Sequence, residues 1–207
     1  MNGALHLLVK IILVGGSMLM LARAIAFSKA DVTSPMVIVE RPSGWIQLFP
    51  KVHIFLYVVL VTLVAFTDLG MLVILGKYSI LLRSVGAIIY SFGTTFALWG
   101  ADSLGNEKTM DVRIRKGHQL VSSGAYTIVR HPLYLGGLCI WWGSGLLLLN
   151  WPILLVALSF TPLFLFRAHV EEELLTRYMG KTYEIYKREV PMLIPNLFLK
   201  KSLSEKK

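Results

Sequence analysis

The sequence predicts an all-α fold, a polytopic integral membrane protein with about five transmembrane helices. Of the 207 residues, 55% are hydrophobic, and the mean hydropathy of +0.64 is too high for an ordinary soluble domain. Long apolar runs alternate with polar segments that contain glycine and proline. We expect one membrane domain over residues 1–207, with an interfacial helical segment near the C-terminus.

Five apolar runs supply the predicted spans: residues 5–27, 52–75, 81–100, 133–149 and 153–166. Each run is long enough, or nearly so, to cross a hydrocarbon core of about 30 Å as a helix. The first run resembles a signal peptide only loosely, because it lacks a basic start and contains Lys10. We therefore interpret it as a retained transmembrane helix.

The sequence also predicts how the spans are connected and packed. Residues 28–51 form a polar connection with three prolines, in which residues 37–39 can be extended. Gly86, Ser91 and Gly93 permit close packing of the third span. The fourth and fifth spans are separated by little more than an Asn-Trp-Pro turn, which predicts an antiparallel helical hairpin. The fifth can continue as one helix into the acidic residues that follow it.

The distribution of charge predicts the orientation in the membrane. Five spans place the connection at 28–51, the loop at 101–129 and the C-terminus on one side, which carries most of the Lys and Arg residues. The positive-inside rule places that side in the cytoplasm and the N-terminus outside. We attribute the net charge of +9 to these loops and to contact of the basic tail, residues 197–207, with anionic membrane lipids. Nucleic acid is not indicated, because the sequence has no basic patch interleaved with aromatic residues.

Missing motifs argue against several kinds of catalytic site. The sequence has no G-x-G-x-x-G after a strand, no H-E-x-x-H, no C-x-x-C and no G-x-S-x-G, so neither a Rossmann fold, a metal site nor a serine hydrolase is indicated. Cys139 lies in an apolar run, which favours a buried inert thiol over a nucleophile. Asp68 is either a functional acid within the membrane or a residue that marks the end of the second span.

Residues 116–137 densely mix polar, aromatic and glycine residues between long apolar runs, and Arg130, His131, Pro132 and Tyr134 stand there between a basic loop and an apolar helix. Pro132 suits the first turn of that helix, and it pushes the preceding residue out of the α region. Arg130 and His131 then lie at a helix N-terminus with unsatisfied N–H groups, which can hold an anion or a polar cofactor. The same residues also suit a simple anchor at the membrane surface.

A second polar cluster follows the last span. Arg167 and Glu171 are four residues apart and can pair on one face of a helix, while at least one of the acids at 171–173 must point toward the protein or the bilayer. Proximity within the hairpin predicts that this cluster meets the Arg130–Tyr134 corner. A charged pocket roofed by tyrosines at the membrane interface results. A solvated helix with a weak ion pair is the alternative.

The motif order resembles one known family. The pattern G-H-x-L-V-x-x-G-x-Y-x-x-x-R-H-P-x-Y-x-G is followed after two spans by R-x-x-x-E-E-E-L-L and G-x-x-Y-x-x-Y-x-x-x-V-P. This resembles the isoprenylcysteine carboxyl methyltransferase family of integral membrane enzymes, over residues 104–195, and the five-span plan is more like its prokaryotic members. The resemblance implies N-terminal spans at 1–100 and a methyltransferase core with the hairpin at 101–196.

The resemblance further implies S-adenosylmethionine as cofactor, bound without a Rossmann fold. By matching positions, it implies a set of cofactor-binding residues: His118, Gln119, Leu120, Val121, Tyr126, Arg130, His131, Pro132, Leu133, Tyr134 and Glu171. Arg130 would also hold the corner in place. Arg167 is implied as the catalytic residue that faces the reacting group of the acceptor.

The function expected from this resemblance is methylation of a lipophilic or membrane-embedded acceptor at the cytoplasmic side of a cell inner membrane or the endoplasmic reticulum. O-methylation of a carboxylate leads, because a carboxylate is ionised at neutral pH and needs no base. A lipid amine N-methyltransferase is an alternative, with His169 or Glu172 as base. Two further alternatives are a sterol-reductase-like enzyme that uses NADPH and a non-enzymatic membrane scaffold. The sequence specifies neither the natural acceptor nor the oligomeric state.

Overall fold

The computed structural model describes residues 7, 9–18, 21–22, 25, 38–40, 44–67, 69–72, 77–105, 114–115, 117 and 119–195. Its helices are α1 (Val9–Met18), α2 (Gly44–Phe66), α3 (Lys77–Ser103), α4 (Pro132–Leu148), α5 (Trp151–Met179) and α6 (Lys181–Glu189). A 3₁₀ turn, Gly124–Thr127, precedes α4, and two short strands, β1 (Ile38–Glu40) and β2 (Ile114–Arg115), form a small antiparallel ribbon. The predicted all-α fold is confirmed, and the expected extended piece is β1.

Helix length and composition identify the membrane-spanning elements. α2, α3 and α5 are each long and apolar enough to cross a bilayer, whereas α1 and α4 are apolar but shorter. α4 has 17 residues and is therefore roughly 25 Å long, just below the thickness of a hydrocarbon core. The chain is an integral membrane protein, as predicted, and within the described residues three helices have the length of a full crossing.

The boundaries of α2 differ from the prediction. The second span was expected over 52–75, but the helix runs from Gly44 to Phe66. It therefore includes Pro50, which the sequence pattern assigned to the polar connection. A proline removes one helical hydrogen bond but does not have to end the helix when another donor satisfies the freed carbonyl.

α3 and α4 pack closely because small residues line their contact. A methyl group built on Gly93 would lie 2.6 Å from Cβ of Cys139 and 2.8 Å from the carbonyl oxygen of Gly136. Gly86 likewise lies against the backbone of Leu147. The predicted role of these two glycines in close packing is confirmed, whereas Ser91 is exposed and points away from this contact.

The predicted hairpin of α4 and α5 is also present. Leu149 ends α4 in the left-handed conformation with φ 52°, and Asn150 caps α5 by accepting a hydrogen bond from the N–H of Ile153 at 3.1 Å. Beyond its apolar part, α5 continues without interruption to Met179, so Arg167 and the acids lie on the same helix. Gly180, with φ 56°, then turns the chain into α6.

Contacts between loops show which connections lie at the same end of the bundle. β1 and β2 pair the segment before α2 with the segment before α4. At the other end of α4, the N–H of Leu72 donates to the carbonyl of Leu149 at 2.7 Å, and the N–H of Trp151 donates to that of Gly70 at 3.1 Å. The alternation of loops expected from the spans is therefore confirmed for these connections.

Candidate functional site

The first predicted cluster lies at the N-terminus of α4. Pro132 occupies the first turn of the helix and is buried, and Leu133 beside it is half-buried. His131 precedes the helix outside the α region, with φ −124° and ψ 64°, as the following proline requires. The 3₁₀ turn is held to α3 because the N–H of Ala125 donates to Oγ of Ser103 at 3.2 Å. These contacts fix the corner from which the predicted site residues project.

Arg130 and His131 are both joined to Glu172 of α5. Nε of Arg130 donates to Oε1 of Glu172 at 2.6 Å, and Nε2 of His131 lies 3.2 Å from the same oxygen. Nζ of Lys187 lies 3.4 Å from Oε2, so three basic side chains surround one carboxylate that is only 6% exposed. Nη1 of Arg130 also donates to the carbonyls of Lys187 (2.9 Å) and Val190. Arg130 thus ties α4, α5 and the C-terminal segment together.

Two backbone N–H groups at this corner have partners in the segment after α6. The N–H of Arg130 donates to the carbonyl of Pro191 at 2.9 Å, and the N–H of His131 donates to that of Met192 at 3.1 Å. The sequence suggested that such groups could hold an anion, but the segment after α6 occupies these two. These two N–H groups are therefore not available to an anion.

The two predicted clusters meet at the hydroxyl of Tyr134. This hydroxyl donates to Oε2 of Glu171 at 2.7 Å and accepts from Nε of Arg167 at 2.8 Å. Arg167 and Glu171, which the sequence allows to pair on one face of α5, are thus also joined through a residue of another helix. The rings of Tyr134 and His131 are parallel, with centroids 5.2 Å apart. The predicted proximity of the clusters is confirmed.

The three consecutive acids point in three different directions. Glu172 is buried, the side chain of Glu171 is 33% exposed, and Glu173 is exposed. The expectation that at least one acid turns toward the protein is therefore confirmed. His169 is exposed, and its Nδ1 donates to the carbonyl of Leu165 at 2.8 Å. Of the two bases considered for an amine acceptor, one faces outward and the other is held by basic side chains.

The tyrosines expected to roof the site, Tyr178, Tyr183 and Tyr186, differ in burial, and Tyr126, expected to bind the cofactor, contacts Tyr186. Tyr126, Tyr183 and Tyr186 are buried, and the hydroxyl of Tyr186 donates to the carbonyl of Tyr126 at 2.7 Å. Burial raises the pKa of all three phenols above their usual range, and the nearby Glu171 carboxylate raises the pKa of Tyr126 further. They therefore remain neutral hydrogen-bond donors at physiological pH. Tyr178 is exposed, and its hydroxyl accepts from the N–H of Gly117 at 3.2 Å.

The segment before the 3₁₀ turn supplies the remaining predicted residues. Gln119 is exposed, while Leu120 and Val121 are half-buried. His118, predicted to bind the cofactor, and Asp68, whose role was open, lie outside the described residues. No group of three or more His, Cys, Asp or Glu residues that could hold a metal occurs in the described part of the chain.

The sequence did not indicate that α2 takes part in the site. Nη1 of Arg167 donates to the backbone carbonyl of Ile46 in α2. The ring of Phe164, on the helix of Arg167, lies 5.1 Å from Phe49, 5.0 Å from His53 and 5.8 Å from Tyr134 between centroids. An aromatic wall from α2 and α5 therefore borders Arg167. Pro50, a proline inside an apolar helix, was the signal that could have pointed to this region.

Comparison with known proteins places the chain in a family. Residues 81–182 match the phospholipid methyltransferase family. The protein-S-isoprenylcysteine O-methyltransferase of Saccharomyces cerevisiae is 35% identical over 153 residues, which are 72% of this chain and 56% of that protein. The corresponding Dictyostelium discoideum enzyme is 32% identical over 117 residues, 55% of this chain and 49% of that protein.

A second group of relatives carries a different name. Methanethiol S-methyltransferase 2 of Bradyrhizobium diazoefficiens is 40% identical over 82 residues, 40% of this chain and 31% of that protein. The chain thus spans from about a third to just over half of the length of these relatives. Their names, together with the matched region and the membrane helices, confirm the resemblance seen in the sequence: the chain belongs to the isoprenylcysteine carboxyl methyltransferase family of membrane proteins.

Proposed function

We propose that the chain is an S-adenosylmethionine-dependent methyltransferase that acts on a lipophilic acceptor from the bilayer, with O-methylation of a carboxylate as its leading reaction. The observation that carries this proposal is the Tyr134 hydroxyl, which joins Glu171 and Arg167 at the end of the hairpin. A carboxylate, which suits a cationic ligand, and a guanidinium, which suits an anionic one, are thereby held beside each other at the membrane surface.

The residues present fit this cofactor in their chemistry. S-adenosylmethionine supplies an electrophilic methyl group on a sulfonium cation. Glu171 offers a carboxylate that remains one-third exposed and can face the positive charge of the sulfonium. The amide of the exposed Gln119 and the half-buried Leu120 and Val121 provide polar and apolar contacts for the rest of the molecule.

Arg167 has the properties needed to orient a carboxylate acceptor. It is 4% exposed, and contacts from Tyr134 and Ile46 hold its guanidinium in one place. A guanidinium can bind a carboxylate through two parallel hydrogen bonds, which fixes the direction of attack. Well-oriented reactants gain on the order of 7–11 kcal/mol from positioning alone. The aromatic wall of Phe49 and Phe164 excludes water from this side.

Two observations favour a carboxylate over an amine. A carboxylate is already ionised at neutral pH and needs no proton acceptor, whereas an ammonium must first lose a proton. His169 faces outward, and Glu172 is surrounded by Arg130, His131 and Lys187. Neither is placed to take a proton from an acceptor beside Arg167. S-methylation of a thiol is the second candidate, because a relative that is 40% identical over 82 residues is named Methanethiol S-methyltransferase 2.

The proposal includes the setting of the reaction. The acceptor enters from the bilayer, the site faces the cytoplasm, and the basic tail contacts anionic lipid. No nucleic acid partner is proposed. The side of the membrane is supported by the basic loops that precede α2 and α4, which the strand pair holds together.

The test combines ligand binding with a methyl-transfer assay on the purified protein in detergent and in lipid. We expect saturable binding of S-adenosylhomocysteine, and transfer of labelled methyl from S-adenosylmethionine to a prenylcysteine analogue in preference to phosphatidylethanolamine and an alkanethiol. If methyl transfer to the thiol or to the amine lipid is preferred, that group and not a carboxylate is the acceptor. Absence of S-adenosylhomocysteine binding at millimolar concentration in every condition would remove the proposal.

A further inference from the structure

α2 contains a proline at a position with a specific consequence for its backbone. In an α-helix the N–H of each residue donates to the carbonyl four residues earlier, so the N–H of residue 50 would satisfy the carbonyl of Ile46. Pro50 has no N–H, and it lies inside α2, buried like Ile46. The carbonyl of Ile46 therefore needs another donor, because an unpaired polar group in a membrane helix is strongly destabilising.

The donor is the side chain expected to orient the acceptor. Nη1 of Arg167 donates to the carbonyl of Ile46, while Nε of the same guanidinium donates to the hydroxyl of Tyr134 at 2.8 Å. Two contacts from two different helices define the plane of a planar group. The proline of α2 thus leaves the Ile46 carbonyl without a helical donor, and the arginine of α5 donates to that carbonyl instead.

The surroundings of Ile46 hold this carbonyl firmly in place. Trp45 stacks on Phe166 with ring centroids 5.4 Å apart, and Phe49 packs against Phe164 at 5.1 Å. Ile46 itself packs with Leu174 in a small apolar cluster. These contacts lie on both sides of Arg167 along α5, so the first turns of α2 cannot shift without disturbing the guanidinium.

We propose that Pro50 is a positioning residue of the site: by leaving the Ile46 carbonyl without a helical donor, it creates the anchor that fixes Arg167 for the acceptor. This inference rests on the proposed function for its kinetic consequence. It concerns a helix outside the matched region, residues 81–182, and so assigns part of the site to the N-terminal spans.

The first experiment compares Pro50→Ala with Pro162→Ala. Alanine restores the N–H at position 50, which then competes with Arg167 for the carbonyl of Ile46. We expect turnover to fall about tenfold, the affinity for S-adenosylhomocysteine to change less than about twofold, and the melting temperature not to fall. Pro162 is the proline inside α5 and is exposed, so its replacement restores an N–H away from the site and should leave turnover unchanged. Unchanged turnover in Pro50→Ala would overturn the proposal.

A second experiment isolates the N–H from the loss of the proline ring. Lactic acid introduced at position 50 gives a backbone ester that has the side chain of alanine but no N–H. We expect this variant to keep the turnover of the unmodified protein. If it loses as much turnover as Pro50→Ala, the ring rather than the missing N–H is responsible, and the proposal is wrong. This comparison remains decisive even if Pro50→Ala itself fails to fold.

A double-mutant cycle tests the link independently of activity. Arg167→Lys should lower the melting temperature less in the Pro50→Ala background than in the unmodified protein, because the restored N–H already satisfies Ile46. Additive effects would sink the proposal. This readout needs no substrate, so a protein that binds no S-adenosylhomocysteine would refute the proposed function while still testing the relation between Pro50 and Arg167.

Discussion

Glu171 and Glu172 are adjacent residues of the same type with different environments. Successive residues on an α-helix point about 100° apart, so one carboxylate turns inward while the other stays partly exposed. Glu172 meets Arg130, His131 and Lys187, whereas Glu171 is one-third exposed and accepts from Tyr134. We infer that Glu172 holds the fold and Glu171 meets the ligand, and the two roles predict different phenotypes.

Replacing Glu171 by glutamine should affect the methyl donor more than its product. S-adenosylmethionine carries a sulfonium charge and S-adenosylhomocysteine does not, so loss of the carboxylate should weaken binding of the first about tenfold and of the second less than about twofold. Isothermal titration with both ligands measures this ratio. Glu173→Gln, at an exposed position of the same acidic run, is the matched control. Equal affinities in Glu171→Gln and the unmodified protein would exclude a role of Glu171 at the sulfonium.

Glu172→Gln should instead reduce stability. Its carboxylate lies 2.6 Å from Nε of Arg130, and removal of one partner of a buried ion pair costs on the order of 3–5 kcal/mol. We expect a clearly lower melting temperature and faster proteolysis after α6, because Arg130 also holds the carbonyls of Lys187 and Val190. Glu173→Gln should change neither. A melting temperature equal to that of the unmodified protein would show that the basic cluster does not depend on this carboxylate.

Arg167→Lys keeps the positive charge but loses the planar fork. The lysine cannot donate to the Tyr134 hydroxyl and the Ile46 carbonyl in the same fixed plane, so orientation of the acceptor is lost. We expect turnover to fall about a hundredfold, with the affinity for S-adenosylhomocysteine nearly unchanged. Steady-state kinetics and titration separate the two effects, and Arg177→Lys, exposed near the end of α5, serves as control. Weakened cofactor binding at full turnover would assign Arg167 to the cofactor instead.

At the scale of elements, the contact between α3 and α4 depends on the absence of side chains. A methyl group on Gly93 would lie 2.6 Å from Cβ of Cys139, 2.8 Å from the carbonyl of Gly136 and 2.9 Å from the N–H nitrogen of Ile140. Two of these three neighbours are backbone atoms, so the helices would have to separate. Since α4 carries Pro132 and Tyr134, such a separation would also displace the site.

Gly93→Ala should therefore destabilise the protein in spite of the better helix propensity of alanine. Overpacking of this kind typically costs about 1–3 kcal/mol, and we expect a lower melting temperature together with reduced binding of S-adenosylhomocysteine. Thermal unfolding in detergent, monitored by size-exclusion chromatography, measures the first effect. Gly15→Ala in α1, where no atom lies within 4 Å of the added methyl group, is the control. Equal stability of both variants would show that α3 and α4 can move apart freely.

The elements also show what the sequence could and could not predict. The α4–α5 hairpin followed from the short turn around Asn150, and spacing along α5 then placed Arg167 and Glu171 near Tyr134. The sequence did not predict the start of α2, because proline and polar residues are typical of a loop. The donor that replaces the missing N–H of Pro50 belongs to Arg167, over a hundred residues away in the sequence. The hydrogen bonds between the Arg130 corner and Pro191–Met192 were equally hidden, since backbone carbonyls leave no trace in residue type.

At the scale of the whole molecule, the bundle has two distinguishable ends. The strand pair joins the segments before α2 and α4 at the end that carries Arg130, Tyr134 and the acidic cluster. At the opposite end, Nδ2 of Asn150 donates to the carbonyl of Leu69 at 2.8 Å and connects the α2–α3 turn to the hairpin turn. The site thus lies at one membrane surface, and its orientation in the cell becomes a measurable property.

Accessibility of introduced cysteines in intact bacterial cells tests this orientation. The native thiol is first removed as Cys139→Ser, and Ser122→Cys or Thr67→Cys is then added at an exposed position of each end. Because the basic loops lie at the end of Ser122, the positive-inside rule predicts that a membrane-impermeant maleimide labels Thr67→Cys in intact cells and Ser122→Cys only after permeabilisation. The reverse pattern would place the Tyr134 site outside the cytoplasm, where S-adenosylmethionine is not made, and would contradict the proposed methyl donor.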